Sequence, residues 1–196
     1  NTDFVLFGDV DGDGDLDLVA GAWSEGNVVY INDGDGTYVT SSYNYGTGGD
    51  DLQAGVLGDV DGDGDLDVAA ANGRHWPQQD WLFLNAGDGR LLEAVPLGEV
   101  RSTSYTIRLG DLDADGDLDA VVVRDTLPAL VYLNDGNARF ALHSAVPDSA
   151  IPARSASLID LDGDGALDLV VAARRGVDPV HYGLGGGAFA QPVGLP

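Results

Sequence analysis

The sequence predicts an all-β fold, a propeller of four four-stranded blades, on three observations. One aspartate-rich phrase recurs four times along 196 residues, at start-to-start distances of 50, 52 and 49. Each copy is flanked by short β-branched or aromatic runs bounded by Gly, Asn or Asp, and no segment holds a helical period for three turns. Many of these runs are apolar at consecutive positions, as in strands buried on both faces between neighbouring blades.

The elements follow in a fixed order. A first run precedes each phrase: FVLFG, AGVLG, TIRLG and SASLI. The phrase reads DVDGDGDLD at Asp9–Asp17 and Asp59–Asp67, DLDADGDLD at Asp111–Asp119 and DLDGDGALD at Asp160–Asp168. A second run follows (LVAGA, VAAA, AVVV, LVVAA), then a connector, then a third run (VVYIN, WLFLN, LVYLN, VHYG). A glycine-rich turn leads to the fourth strand: NDGDGTY, NAGDGRL, NDGNARF and GLGGGAF. The repeats fall at about 1–50, 51–100, 101–150 and 151–196, and residues 1–196 read as one domain. A β-sandwich with accidental repetition does not explain four copies at so constant a period.

Composition narrows the function. The chain carries 33 acidic and 9 basic side chains, a formal net charge of −24, and no Cys, Met or Lys. Its apolar content of 44% is that of a folded protein. The charge argues against nucleic acid or an anionic membrane as partner. No apolar run is long enough to span a bilayer. Without cysteine there are no disulfides, no thiolate chemistry and no cysteine-held metal. The start at Asn1 reads as that of a processed or excised product.

Nineteen of the 33 acids lie in the four phrases. With Asp9 as position 1, carboxylates fall at positions 1, 3, 5 and 9 (Asp9, Asp11, Asp13, Asp17), with Gly14 at position 6. This is how an EF-hand loop begins: side-chain oxygens at 1, 3 and 5, a backbone carbonyl at 7, and glycine at 6 for the turn. Position 7 is Asp15, Asp65 and Asp117, but Ala166 in the fourth copy, as a position offering only its carbonyl permits. The closing Glu of an EF-hand is missing: position 12 is Ala20, Ala70, Val122 or Val171. The aspartate at position 9 is therefore expected to close the shell, in a loop joining two strands. About four Ca²⁺ are expected, one per repeat, pinning the loops as disulfides pin other extracellular domains. Loops of this kind suit moderate-affinity sites, filled outside the cell.

The runs FG-DVDGDGDLDLVAGA and LG-DVDGDGDLDVAAA, each followed by a strand and N-x-G-D-G, resemble FG-GAP/VCBS repeats. These form the calcium-binding blades of integrin α-subunit propellers and of many secreted bacterial proteins. The resemblance covers essentially the whole chain. It implies as calcium ligands Asp9, Asp11, Asp13, Asp17 and the Asp15 carbonyl; then Asp59, Asp61, Asp63, Asp67 and Asp65; then Asp111, Asp113, Asp115, Asp119 and Asp117; then Asp160, Asp162, Asp164, Asp168 and Ala166. Family propellers usually have seven blades, and this chain has four units. A closed four-bladed monomer is favoured, because an open array exposes apolar faces and sheet edges. Half of an eight-bladed ring formed by a dimer, or a fragment of a seven-bladed propeller, are the alternatives.

Calcium loops and 3–4 turns belong on one face of the disc, and the 2–3 and 4–1 connectors on the other, the face that binds ligand in integrin-like relatives. Arg74, Arg124, Arg174 and Arg175 lie in 2–3 connectors, and Arg101 and Arg154 in 4–1 connectors. Trp23, His75 and Trp76 fall on the same face, with Tyr43, Tyr45 and Tyr105. The connector NGRHWPQQD, Asn72–Asp80, suits a polar ring such as a sugar. The expected candidates are Trp23, Arg74, His75, Trp76, Arg124 and Arg174, and the expected partner is an extracellular glycan or a protein. Arginines paired with local acids such as Asp50, Asp51, Asp80 and Asp125 are the plainer alternative. No catalytic motif stands out, so an enzyme is not expected. An accessory or catalytic domain of a secreted polysaccharide-degrading enzyme, or a purely structural module of a surface protein, are the other readings.

Overall fold

A computed structural model describes residues 2–22, 26–47, 49–73 and 76–195, with the backbone alone at 41–43. Among the described residues there are sixteen strands and no helix, in four four-stranded antiparallel sheets. The first sheet holds β1 (Thr2–Gly8), β2 (Asp17–Ala22), β3 (Asn27–Asn32) and β4 (Tyr38–Tyr45). The second holds β5 (Leu52–Gly58), β6 (Asp67–Asn72), β7 (Gln78–Asn85) and β8 (Leu91–Ser102). The third holds β9 (Ser104–Gly110), β10 (Asp119–Arg124), β11 (Leu130–Asn134) and β12 (Phe140–Ala145). The fourth holds β13 (Ala153–Ile159), β14 (Asp168–Ala173), β15 (Pro179–His181) and β16 (Val193–Gly194). Each sheet keeps chain order, so every connection within a sheet joins hydrogen-bonded neighbours, as propeller blades require.

The core lies between blades. Alternation along each strand sends successive side chains to opposite faces. In β6, Val68 and Ala70 join Val19, Val29 and Tyr45 of the first blade, while Ala69 and Ala71 join Ile107, Val122 and Tyr132 of the third blade. In β10, Ala120 and Val122 face the second blade while Val121 and Val123 face Leu169 and Val171 of the fourth. That two-sided burial is why these strands read as unbroken apolar runs. The inner strands contact each other in series, β1 with β5, β5 with β9 and β9 with β13.

The innermost strands end on glycine because the next blade comes too close for a side chain. A Cβ on Gly8 would lie 2.7 Å from Leu57 Cδ1, one on Gly58 2.7 Å from Leu118 Cδ1, and one on Gly110 2.6 Å from Leu167 Cδ1. The fourth blade has Ile159 at this place.

Candidate metal centres

Each acidic phrase is the loop from the first to the second strand of its blade. The loop is folded by its own carboxylates. In the first copy, Asp9 Oδ1 accepts the Gly12 amide at 2.8 Å and the Asp13 amide at 3.1 Å, and its Oδ2 accepts the Gly14 amide at 3.0 Å. Asp11 Oδ1 accepts from Asp13 N–H and Asp13 Oδ1 from Asp15 N–H. All of these but the Asp13 amide bond to Asp9 recur in the other loops, for example Asp160 Oδ2 with the Gly165 amide at 3.1 Å. Position 6 is left-handed in all four, with φ from 93° to 99° at Gly14, Gly64, Gly116 and Gly165. Position 4 is left-handed too, and the third copy places Ala114 there at φ 67°.

This folding brings carboxylate oxygens within 4.8 Å of one another in every copy. The groups are Asp9, Asp11 and Asp13; Asp59, Asp61 and Asp67; Asp111, Asp113 and Asp115; and Asp160, Asp162 and Asp168. Positions 1 and 3 are in all four groups, joined by position 5 in two copies and position 9 in the other two. Each group could hold a metal ion. Oxygen-only donors of this kind suit a hard cation and are compatible with calcium.

The position-9 aspartates have a further task that sequence reasoning missed. Asp17 Oδ2 accepts the Val10 amide and Oδ1 the Asn32 amide, both at 2.8 Å. Asp67 takes Val60 and Asn85, Asp119 takes Leu112 and Asn134, and Asp168 takes Leu161 and Gly183, all at 2.8–2.9 Å. Each buried carboxylate therefore ties the start of its loop to the end of the third strand. At position 7 the Asp65 carboxylate lies against the 3–4 turn, where a Cβ on Gly87 would be 2.6 Å from it. In the fourth blade Ala166 stands at position 7, and Gly185, in the place of Gly87, has open space where a Cβ would stand.

Crowding shows in the electrostatics. Burial, then the neighbouring Asp17, Asp13 and Asp9, push the Asp11 carboxyl up; burial and then Asp63 and Asp59 do so for Asp61. Burial raises Asp67 to about 6 despite its two amide donors, and it raises Asp119 as well. A bound cation relieves what a proton otherwise must.

On the opposite face, Trp76 is 62% exposed. Arg174 is exposed, and its amide donates to Pro152 O at 2.6 Å. The Arg124 guanidinium turns back on its own connector, donating to Pro128 O at 2.8 and 2.6 Å. Arg154 stacks over the Tyr105 ring at 4.7 Å, joining the fourth blade to the third. Trp23, Arg74 and His75 lie outside the described residues. A cleft of about 270 Å³ is lined by Thr47, Asp50, Pro77, Gln79, Trp81 and Arg101 among others, Pro77 being the residue after Trp76 in the chain. Asp80 is buried beneath this face. Its Oδ1 accepts the Asn72 amide and its Oδ2 the Ser104 hydroxyl, both at 2.8 Å. Asn27 and Asp178 receive the Ala22 and Ala173 amides in the same way.

The FG-GAP-like repeat profile matches residues 9–70, 59–122 and 111–171. Each match runs from one acidic loop to the second strand of the following blade. The chain therefore belongs to the FG-GAP-like repeat family, a class of propeller-like repeat modules. No curated protein matches the chain.

Proposed function

We propose that the four loops bind calcium, one ion each, and that the chain is an extracellular binding module whose connector face takes a glycan or protein ligand. The convergence of position-1 and position-3 carboxylates in all four loops supports the calcium reading most directly. Each ion offsets the mutual repulsion of its carboxylates and fixes a loop that joins two blade strands. Four Ca²⁺ would contribute eight positive charges against a net charge of −24. Binding to the folded chain alone adds stability by linkage.

Isothermal titration of chelator-treated protein tests this: four Ca²⁺ per chain and a Tm that falls on chelation are expected. A Tm indifferent to chelator overturns it. The ligand reading draws on exposed Trp76 and on the polar cleft that the next residue, Pro77, lines together with Trp81 and Arg101. Aromatic and guanidinium planes in one place suit a sugar ring. Binding on a glycan array that Trp76→Ala weakens at least tenfold is expected; no binding, or binding that the variant leaves unchanged, counts against it.

A further inference from the structure

The three internal junctions share one set of contacts. Across the first, Asn85 Nδ2 and the Gly89 amide both donate to Val10 O, at 2.7 and 2.9 Å. Across the second, Asn134 Nδ2 and the Ala138 amide donate to Val60 O, at 2.8 and 2.9 Å. Across the third, the Gly187 amide donates to Leu112 O at 2.9 Å. Leucine pairs (Leu57 with Leu66, Leu109 with Leu118, Leu158 with Leu167) seat on the terminal glycine of the preceding inner strand. A junction thus has a donor half, made of a leucine pair and the 3–4 turn, and an acceptor half, made of the position-2 residue and its carbonyl.

The first blade carries a donor half on which, among the described residues, nothing is seated. Phe7 and Leu16 occupy the leucine-pair positions and are 61% and 58% exposed. Asn32 makes the bond within its blade, Nδ2 to Leu16 O at 3.2 Å, that Asn85 and Asn134 make to Leu66 and Leu118. Gly36 holds the place of Gly89 and has open space where a Cβ would stand. The last blade carries the acceptor half. Leu161, at position 2, is 49% exposed where Val10 and Val60 are 1%, and Ile159 is exposed beside it.

We propose that these two faces are the halves of one further blade junction, filled by a second copy of this chain, so that two chains form one two-fold ring of eight blades. The internal junctions are the template, with the same positions in the same roles. The halves lie on the first and last of the four blades, so a head-to-tail pair covers both, and closure by a two-fold axis sets each donor half on an acceptor half. Ile159 stands where internal junctions have glycine, so this junction is wider than they are, and Phe7 replaces leucine opposite it. The inference rests on the blade contacts and not on the metal reading.

Sedimentation of the 196-residue chain in calcium should give the mass of two chains. A one-chain mass overturns the proposal in favour of a self-contained ring, and a mass above two chains overturns the two-fold closure. The double variant Phe7→Asp, Leu16→Asp should sediment as one folded chain, while Val177→Asp, at an equally exposed apolar residue off this face, should remain a pair. The chain has no cysteine, so Leu16→Cys and Ile159→Cys proteins can be mixed with a short bis-maleimide. Covalent pairs should form in the mixture and far less with either variant alone. Their absence from the mixture overturns the proposal even if the Asp variants fold poorly.

Discussion

Asn85 Nδ2 donates to Val10 O at 2.7 Å, across a blade junction and 75 residues of chain. Its oxygen meanwhile accepts the Gly87 amide, so one side chain shapes a turn and joins two blades. Asn85→Ala should cost about 1–3 kcal/mol, the range for a buried partner left unsatisfied. Asn32→Ala, which loses two exposed bonds within its own blade, one to Leu16 O and one from the Gly34 amide, should cost under about 1 kcal/mol in a single chain. Urea denaturation of both variants checks the difference.

The loop aspartates separate into two groups by what they hold. Asp67→Ala removes acceptors from two backbone amides and should destabilise the fold by about 2–5 kcal/mol whether or not calcium is present. Asp61 accepts a single loop amide at 3.3 Å, so Asp61→Ala should lower Tm in calcium and change little in chelator. Calorimetry of each variant in both conditions is the measurement.

Asp80 sets a pH dependence. Burial raises its carboxyl to about 7 from 3.8, although the Asn72 amide, the Ser104 hydroxyl and the Arg124 charge favour the anion. The folded state thus binds this proton more tightly than the unfolded chain. The stabilisation is complete below about pH 4 and is lost as pH rises through 7. Asp80→Asn keeps an acceptor for Asn72 and carries no charge. It should be more stable than the parent at pH 8 by up to about 4 kcal/mol and nearly equal to it at about pH 3. Chelated protein should be used, so that the loops do not contribute through metal binding.

Gly58 tests the junction spacing. Gly58→Ile copies the residue of the fourth blade into a place where a Cβ already meets Leu118 at 2.7 Å and Leu109 at 2.9 Å. Overpacking should cost about 1–3 kcal/mol or more. Ile159→Gly, on an exposed face, should cost a single chain far less.

The repeat itself made the blade legible. A phrase copied four times fixed the loops, and the runs around it gave four strands per blade in the order observed. Consecutive apolar residues such as Ala69–Ala71 announced two-sided burial, because alternation sends neighbours in a strand to opposite blades. Positions 1 and 3 of the acidic loops were legible too, because their grouping depends on local turns. The double task of Asp67 was not, since its partners Val60 and Asn85 converge only when three strands are aligned. Nor was the burial of Asp80, whose spacing from Asn72 and Ser104 follows no motif.

By itself, then, the sequence determined the repeat, the strand order and the aspartates that meet within each loop, all consequences of local geometry and period. Only the tertiary structure decided which side chains join one blade to the next, and that Phe7 and Leu16 at one end and Ile159 and Leu161 at the other stay exposed. A junction is a contact between residues some 50 to 75 positions apart, and whether a given one is covered depends on the rotation between blades, which no local pattern encodes.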